Sequence, residues 1–167
     1  MELKKIYILI TLIFLVACSN EETTLNNLSD NGEIAKEYVE SLGYEVVAFE
    51  KEDVIRYTEQ DMGLPPNKQF WSVQTIEPTN YLGKDLVRIN LLVKNHPLAN
   101  MYESDKTELS VVLWNKEVIG GTSFPHSKEP LLGGSYSLDG KNGEDVKVDY
   151  KHWSENWDKK YGANLFK

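Results

Sequence analysis

Few groups in this chain are suited to chemistry, and their spacing limits what each can do. The single cysteine, Cys18, closes the stretch Leu15-Val16-Ala17-Cys18 at the end of an apolar run. Thiolates are the nucleophilic form of sulfur, so a cysteine placed there suits thioether formation with a lipid carbon. The three histidines, His96, His126 and His152, are far apart and show no HxH or HxxxH pairing. No metal centre is therefore expected. The stretch Asp139-Gly140-Lys141-Asn142-Gly143-Glu144-Asp145 lacks the alternating oxygen ligands of a calcium loop and reads as a turn. Gly133-Gly134-Ser135 and Ser137 sit in no G-x-S-x-G elbow, and neither a base nor an oxyanion hole can be assigned to them. No glycine-rich phosphate loop occurs, so no nucleotide and no other cofactor is expected.

Two phrases are unusual. Lys94-Asn95-His96-Pro97-Leu98 and Ser123-Phe124-Pro125-His126 each put a histidine beside a proline at a strand end. Loops on a rigid sheet commonly carry function. If the two strands are neighbours, His96 and His126 would share one rim, a candidate binding rim or the acid–base pair of a hydrolase. The simpler account is that proline stops a strand and histidine is tolerated beside it. The 4 tryptophans and 9 tyrosines are open to two readings as well. They could form a carbohydrate or peptide platform. Because Trp153 and Trp157 share one helix face, core packing is the simpler reading.

These residues need elements to hold them. Ile34, Tyr38 and Leu42 recur at helical spacing with Ala35 and Val39 beside them. Asp30 and Glu33 are spaced as a capping box and Gly43 falls at the end, which predicts a helix over 31–42. Tyr44 to Phe49 reads as a strand, 50–53 as a charged turn, and 54–58 as a second hairpin strand or a short helix. Residues 60–68, with Gly63, Pro65 and Pro66, read as a loop. Phe70 to Ile76 reads as a third strand, followed by a turn-rich connection containing one helical turn. Alternation of Val87, Ile89, Leu91 and Val93 against Arg88 and Asn90 predicts a strand over 86–94. A hairpin is expected around Asn115-Lys116, with Gly120-Gly121 as a bulge or close backbone approach and the strand continuing to Pro125. Residues 131–138 read as one more short strand, closed by Asp139-Gly140. Tyr150, Trp153, Trp157 and Tyr161 form a helical stripe, with Asp149 as N-cap and Gly162 beyond its end. The expected fold is α+β: an N-terminal helix, a largely antiparallel sheet of five to seven short strands, and a C-terminal helix in one domain over 31–167.

The N-terminus supplies the remaining signal. Met1-Glu2-Leu3-Lys4-Lys5 is a basic n-region, and Ile6 to Val16 is an apolar h-region. A spanning helix needs about 20 apolar residues, whereas signal-peptide h-regions run to roughly 7–15. With Leu15-Val16-Ala17-Cys18 at its end, the segment resembles a bacterial lipoprotein signal with its lipobox. That resemblance implies diacylglyceryl transfer to Cys18, cleavage before it, and two acyl chains, which suffice for stable anchoring. Residues 1–17 would be the signal peptide and 18–30 a lipidated polar tether, reaching about 20 Å as a coil. The phrases Phe70-Trp71-Ser72-Val73-Gln74, Tyr81-Leu82-Gly83-Lys84 and Tyr136-Ser137-Leu138-Asp139-Gly140-Lys141 also look like uncharacterised Gram-positive lipoproteins. That likeness implies lipidation and assigns no site residue.

Loss of residues 1–17 removes Lys4, Lys5 and Glu2, leaving 16 basic and 25 acidic side chains and a net charge of −9. Such an acidic surface argues against a nucleic-acid partner, which would need basic patches. It also argues against lying flat on anionic lipid. The expectation is a membrane-anchored extracytoplasmic lipoprotein. It would be a non-enzymatic binding module for an envelope protein or wall component; the alternative is an envelope hydrolase near His96 and His126.

Overall fold

The computed structural model describes residues 25–102, 104–127, 131 and 133–162. Cys18 and the whole signal segment lie outside these. Four antiparallel strands follow one another as a meander, in the order β1-β2-β3-β4. They are β1 (Glu45–Ile55), β2 (Leu86–Lys94), β3 (Thr107–Trp114) and β4 (Glu117–Pro125). Five helices accompany them: α1 (Asp30–Ser41), α2 (Pro65–Ser72), α3 (Pro97–Met101), α4 (Gly143–Val146) and α5 (Tyr150–Tyr161). The class is α+β, with four strands among the described residues where five to seven were expected.

Helix α1 begins one residue earlier than expected because Ser29, not Asp30, is its cap. The Ser29 Oγ accepts from the Gly32 N–H at 3.0 Å and donates to Glu52 at 2.6 Å. Asp30 instead pairs with Lys116 at 2.8 Å. The helix touches all four strands and buries Ala35 and Val39. Tyr38 and Leu42, expected at the centre of its apolar stripe, are exposed. Gly43 ends the helix at φ +90°, the left-handed geometry that favours glycine. Against α1 lie Val46, Ile89, Leu91, Val93, Leu109, Val111 and Leu113, alternate residues of three strands, forming the main core. Leu25, within the stretch expected as tether, packs on this core from a 3-10 turn over Leu25–Asn27.

Four departures from the sequence reading have physical causes. The charged run 50–53 is not a turn: β1 passes straight through it to Ile55. As an edge strand β1 leaves one side to water, so charges are tolerated there, and two register shifts interrupt its ladder with β2. Residues 70–76 do not form a strand. Pro65 and Pro66 sit at the first helical positions after an extended Leu64 and initiate α2 within the expected loop. Residues 131–138 contribute a single bridge, Tyr136 to Ser123, as far as they are described. Gly162 follows α5 with right-handed φ of −64°, not as a left-handed cap.

The β3–β4 hairpin turns at Asn115 and Lys116 with φ of +50° and +65°, as a two-residue turn of matching twist requires. Gly120 and Gly121 combine both expected roles. The register shifts beside them, and a Cβ on Gly120 would lie 2.1 Å from the Gln74 Oε1.

Candidate binding groove

The two histidines singled out by the sequence do not meet on a rim. His96 is 1 % exposed. Its Nδ1 accepts from the Leu98 N–H at 3.1 Å, so its Nε2–H donates to the Leu138 carbonyl, also at 3.1 Å. Its ring lies 4.6 Å from that of Tyr44. Burial holds its pKa below the ordinary histidine value, which the Leu138 bond and Asp139 partly oppose. His96 thus caps α3 and fills the core. His126 sits elsewhere, with Nδ1 2.8 Å from the Glu108 carboxylate. It lines a polar cleft with Tyr102, Ser104, Lys106 and Pro125, and His96 is not among the walls. The acid–base pairing expected of the hydrolase alternative is therefore not assembled from these two residues. No group of three or more His, Cys, Asp or Glu among the described residues converges as a metal site.

A larger concavity than the His126 cleft lies along α5. It arises because an aromatic helix cannot bury its whole stripe against one small layer. Along α5, Tyr150 and Trp153 stack at 5.7 Å, Trp153 and Trp157 lie 5.1 Å apart, and Trp157 and Tyr161 lie 4.7 Å apart. The C-terminal half of this ladder is buried with Met62 and Trp71 in a second apolar cluster, and the Trp157 indole donates to the Met62 carbonyl at 2.9 Å. The N-terminal half stays half-exposed. Asp149 begins the helix by accepting from the His152 N–H at 2.9 Å.

Between one face of α5 that carries Trp153, Asn156 and Tyr161, the connection bearing Thr75 and Glu77, and the link from α4 through Lys147 and Asp149 lies an open groove of about 590 Å³. Small-ligand clefts typically span about 300–1,000 Å³. Lys147 spans the groove's inner end. Its Nζ donates to the Gln74 carbonyl at 2.5 Å and stands 5.1 Å from the Trp153 ring centre. Burial holds this ammonium below the usual lysine range, and Glu77 partly restores it. Lys160 donates to the Thr79 hydroxyl at 3.1 Å. Asn156 Nδ2 can only donate, so its 2.9 Å contact makes His152 Nε2 an acceptor and leaves the proton on Nδ1. Val148 projects fully exposed at the rim.

Gln74 ties the groove to the sheet. Its amide mimics a strand: Nε2 donates to the Gly121 carbonyl at 2.8 Å, and Oε1 accepts from the Gly121 N–H at 2.9 Å. The backbone of Tyr136 covers the next stretch of β4 by exchanging two bonds with Ser123, at 2.8 and 3.1 Å.

The sequence reading took Trp153 and Trp157 as core. That describes Trp157, which is 5 % exposed, and describes Trp153 only in part. The groove's polar residues were missed, because Lys147, His152 and Asn156 form no pattern in a linear sequence. The one available signal was Val148, a lone β-branched residue between Lys147 and Asp149 just before a helix cap. No described helix is long and apolar enough to cross a membrane. No protein-family model matches the chain, and no curated protein or solved structure matches it either.

Proposed function

We propose that this chain is a membrane-anchored extracytoplasmic lipoprotein, held by acyl chains on Cys18, whose folded domain is a non-enzymatic binding module of the cell envelope. The Leu15-Val16-Ala17-Cys18 stretch behind a short apolar run supports the anchor. Leu25 already belongs to the packed body. The seven residues from Cys18 to Leu25 reach at most about 25 Å when extended, which would keep the domain close above the lipid headgroups.

The single observation that carries the binding role is the groove beside α5. Trp153 in it is left half-exposed, although Trp157 and Tyr161, half of the same helix stripe, are buried. What packing leaves uncovered there is a surface that a ligand can cover.

Metabolic labelling with palmitate and fractionation of cells expressing the wild type and Cys18→Ala test the anchor. The wild type is expected in the membrane fraction with label, and the variant outside it without label. Label in the variant, or unchanged membrane retention, would overturn the reading.

A further inference from the structure

The phenols of Tyr102 and Tyr136 meet through their hydroxyls, and the contact belongs to neither apolar cluster nor to the α5 groove. We propose that this pair is a site of oxidative crosslinking, at which a peroxidase-type one-electron oxidant joins the two rings as dityrosine and staples the end of α3 to the segment that covers β4. The proposal goes beyond the anchor and the groove and depends on neither.

Three observations lead there. The first is geometry. The two oxygens lie 2.5 Å apart, on residues 34 positions apart in the chain, with ring centres at 6.3 Å and planes at 67°. In a phenoxyl radical the carbons ortho to the oxygen carry unpaired electron density, so oxygens in contact bring reactive carbons close. A single bond between two rings does not need them coplanar. The second is access. Tyr102 is 40 % exposed and Tyr136 is partly exposed, so an oxidant reaches the pair. Among the described residues no other two tyrosine hydroxyls are in contact. The third is the direction of the bond. Tyr102 holds the Tyr136 phenol above its ordinary pKa, so Tyr136 keeps its proton and donates it to the Tyr102 oxygen. Oxidation of Tyr102 then sends one electron to the oxidant and its own proton to water, and the Tyr136 O–H already points at the oxygen that becomes the radical. A second such oxidation, with loss of its proton, makes the Tyr136 radical. The two radicals couple through one new bond between ortho carbons, and each ring becomes aromatic again as its ortho hydrogen moves to its oxygen. Two electrons and two protons leave in all, and they reduce one hydrogen peroxide to two waters. With a single cysteine the chain can form no internal disulfide. The crosslink would act as one, closing a loop across β3 and β4 between the end of α3 and the Tyr136 backbone bonded to Ser123.

Treating dilute full-length protein in detergent with a haem peroxidase and stoichiometric hydrogen peroxide tests this. The expected product is a single chain two hydrogens lighter, with dityrosine fluorescence and a peptide map that joins Tyr102 to Tyr136. Its thermal unfolding midpoint should rise by about 10 °C. Met101, exposed beside Tyr102, gains an oxygen when oxidised and is told apart by mass. Tyr102→Phe and Tyr136→Phe keep the rings and lose the hydroxyls, and each should cut the product at least tenfold, with thermal denaturation before treatment reporting that the variant is folded. Tyr38→Phe, an exposed tyrosine outside the pair, should crosslink as the wild type does. A link that maps to other tyrosines or joins only separate chains, an unchanged yield in Tyr102→Phe, or a midpoint that does not rise would overturn the proposal.

Discussion

Gln74 is the joint between the groove and the sheet, and cutting it is expected to be costly. The side chain is 4 % exposed and makes three hydrogen bonds, to Phe70 and twice to Gly121. In an antiparallel strand the N–H and C=O of one residue point the same way. Those of Gly121 point outward from β4, toward Gln74. In Gln74→Ala both would lose their partner in a buried place. Each unsatisfied backbone group costs about 1–3 kcal/mol, and water entering the vacated space would recover part of that. A loss of about 3 kcal/mol is the central expectation, set against a total stability of about 5–15 kcal/mol for a domain. Gln74→Glu separates hydrogen bonding from shape. At pH 7 its carboxylate would still accept from the Gly121 N–H but would face the carbonyls of Gly121 and Phe70 with no donor. Burial beside two carbonyls would raise the folded-state pKa of the new carboxyl. The raised value means that destabilisation grows as pH rises from about 4 toward that folded pKa. Urea titration followed by circular dichroism at pH 7 and pH 4.5 reads both effects. If Gln74→Ala costs under about 1 kcal/mol, or if Gln74→Glu is equally stable at the two pH values, the strand-mimic argument is wrong.

Further changes probe the frame. Acidification should remove stability in two windows. His96 has a folded pKa depressed by burial, so its contribution is complete above about pH 6.5 and is lost as pH falls below that. His96→Asn, which keeps an acceptor for the Leu98 N–H and does not titrate, should abolish this first loss in pH-dependent urea titrations. Asp53, bonded twice to Arg88 at 2.8 and 2.6 Å, has a carboxyl lowered to about 2. Its contribution is complete above about pH 4 and is lost toward pH 2, worth about 1 kcal/mol after screening at a partly exposed pair. Gly121→Ala would place a Cβ 2.2 Å from the Ser110 carbonyl oxygen and 2.9 Å from Leu138. A loss of about 3 kcal/mol or more is expected by thermal denaturation. Gly133→Ala, with nothing within 4 Å, should stay within about 0.5 kcal/mol of the wild type.

What was legible in the sequence followed how local the cause was. β2 occupies 86–94 as expected, because each of its side chains chooses a face by simple alternation. Asn115-Lys116 turns as expected because the hairpin's geometry is set by two residues. The reading failed where a distant partner decides. Phe70-Trp71-Ser72-Val73 has strand-like composition, yet its two rings join a cluster with Tyr57 and Tyr81, and two prolines upstream begin a helix. The acidic run of β1 looked like a turn because edge position, which makes charge harmless, cannot be seen in a sequence. His96 looked like a rim residue because a cap and a bond to Leu138, 42 positions away, leave no local trace.

The two sheet edges show why the groove lies where it does. β1 ends the sheet with charge and register shifts, which suppress further strand pairing without covering the edge. β4 is treated in the opposite way. Its outer groups are satisfied by the Gln74 amide and by the Tyr136 backbone, so the segment leading out of α2 and the segment leading into α4 both dock along it. Lys147 then closes the circuit from α4 back to the Gln74 carbonyl. The groove is therefore bounded by chain segments that the sheet itself holds in register. A side chain in such a setting loses little further freedom when a ligand arrives. That is why the proposed binding role rests on the groove and not on the His126 cleft beside Leu131.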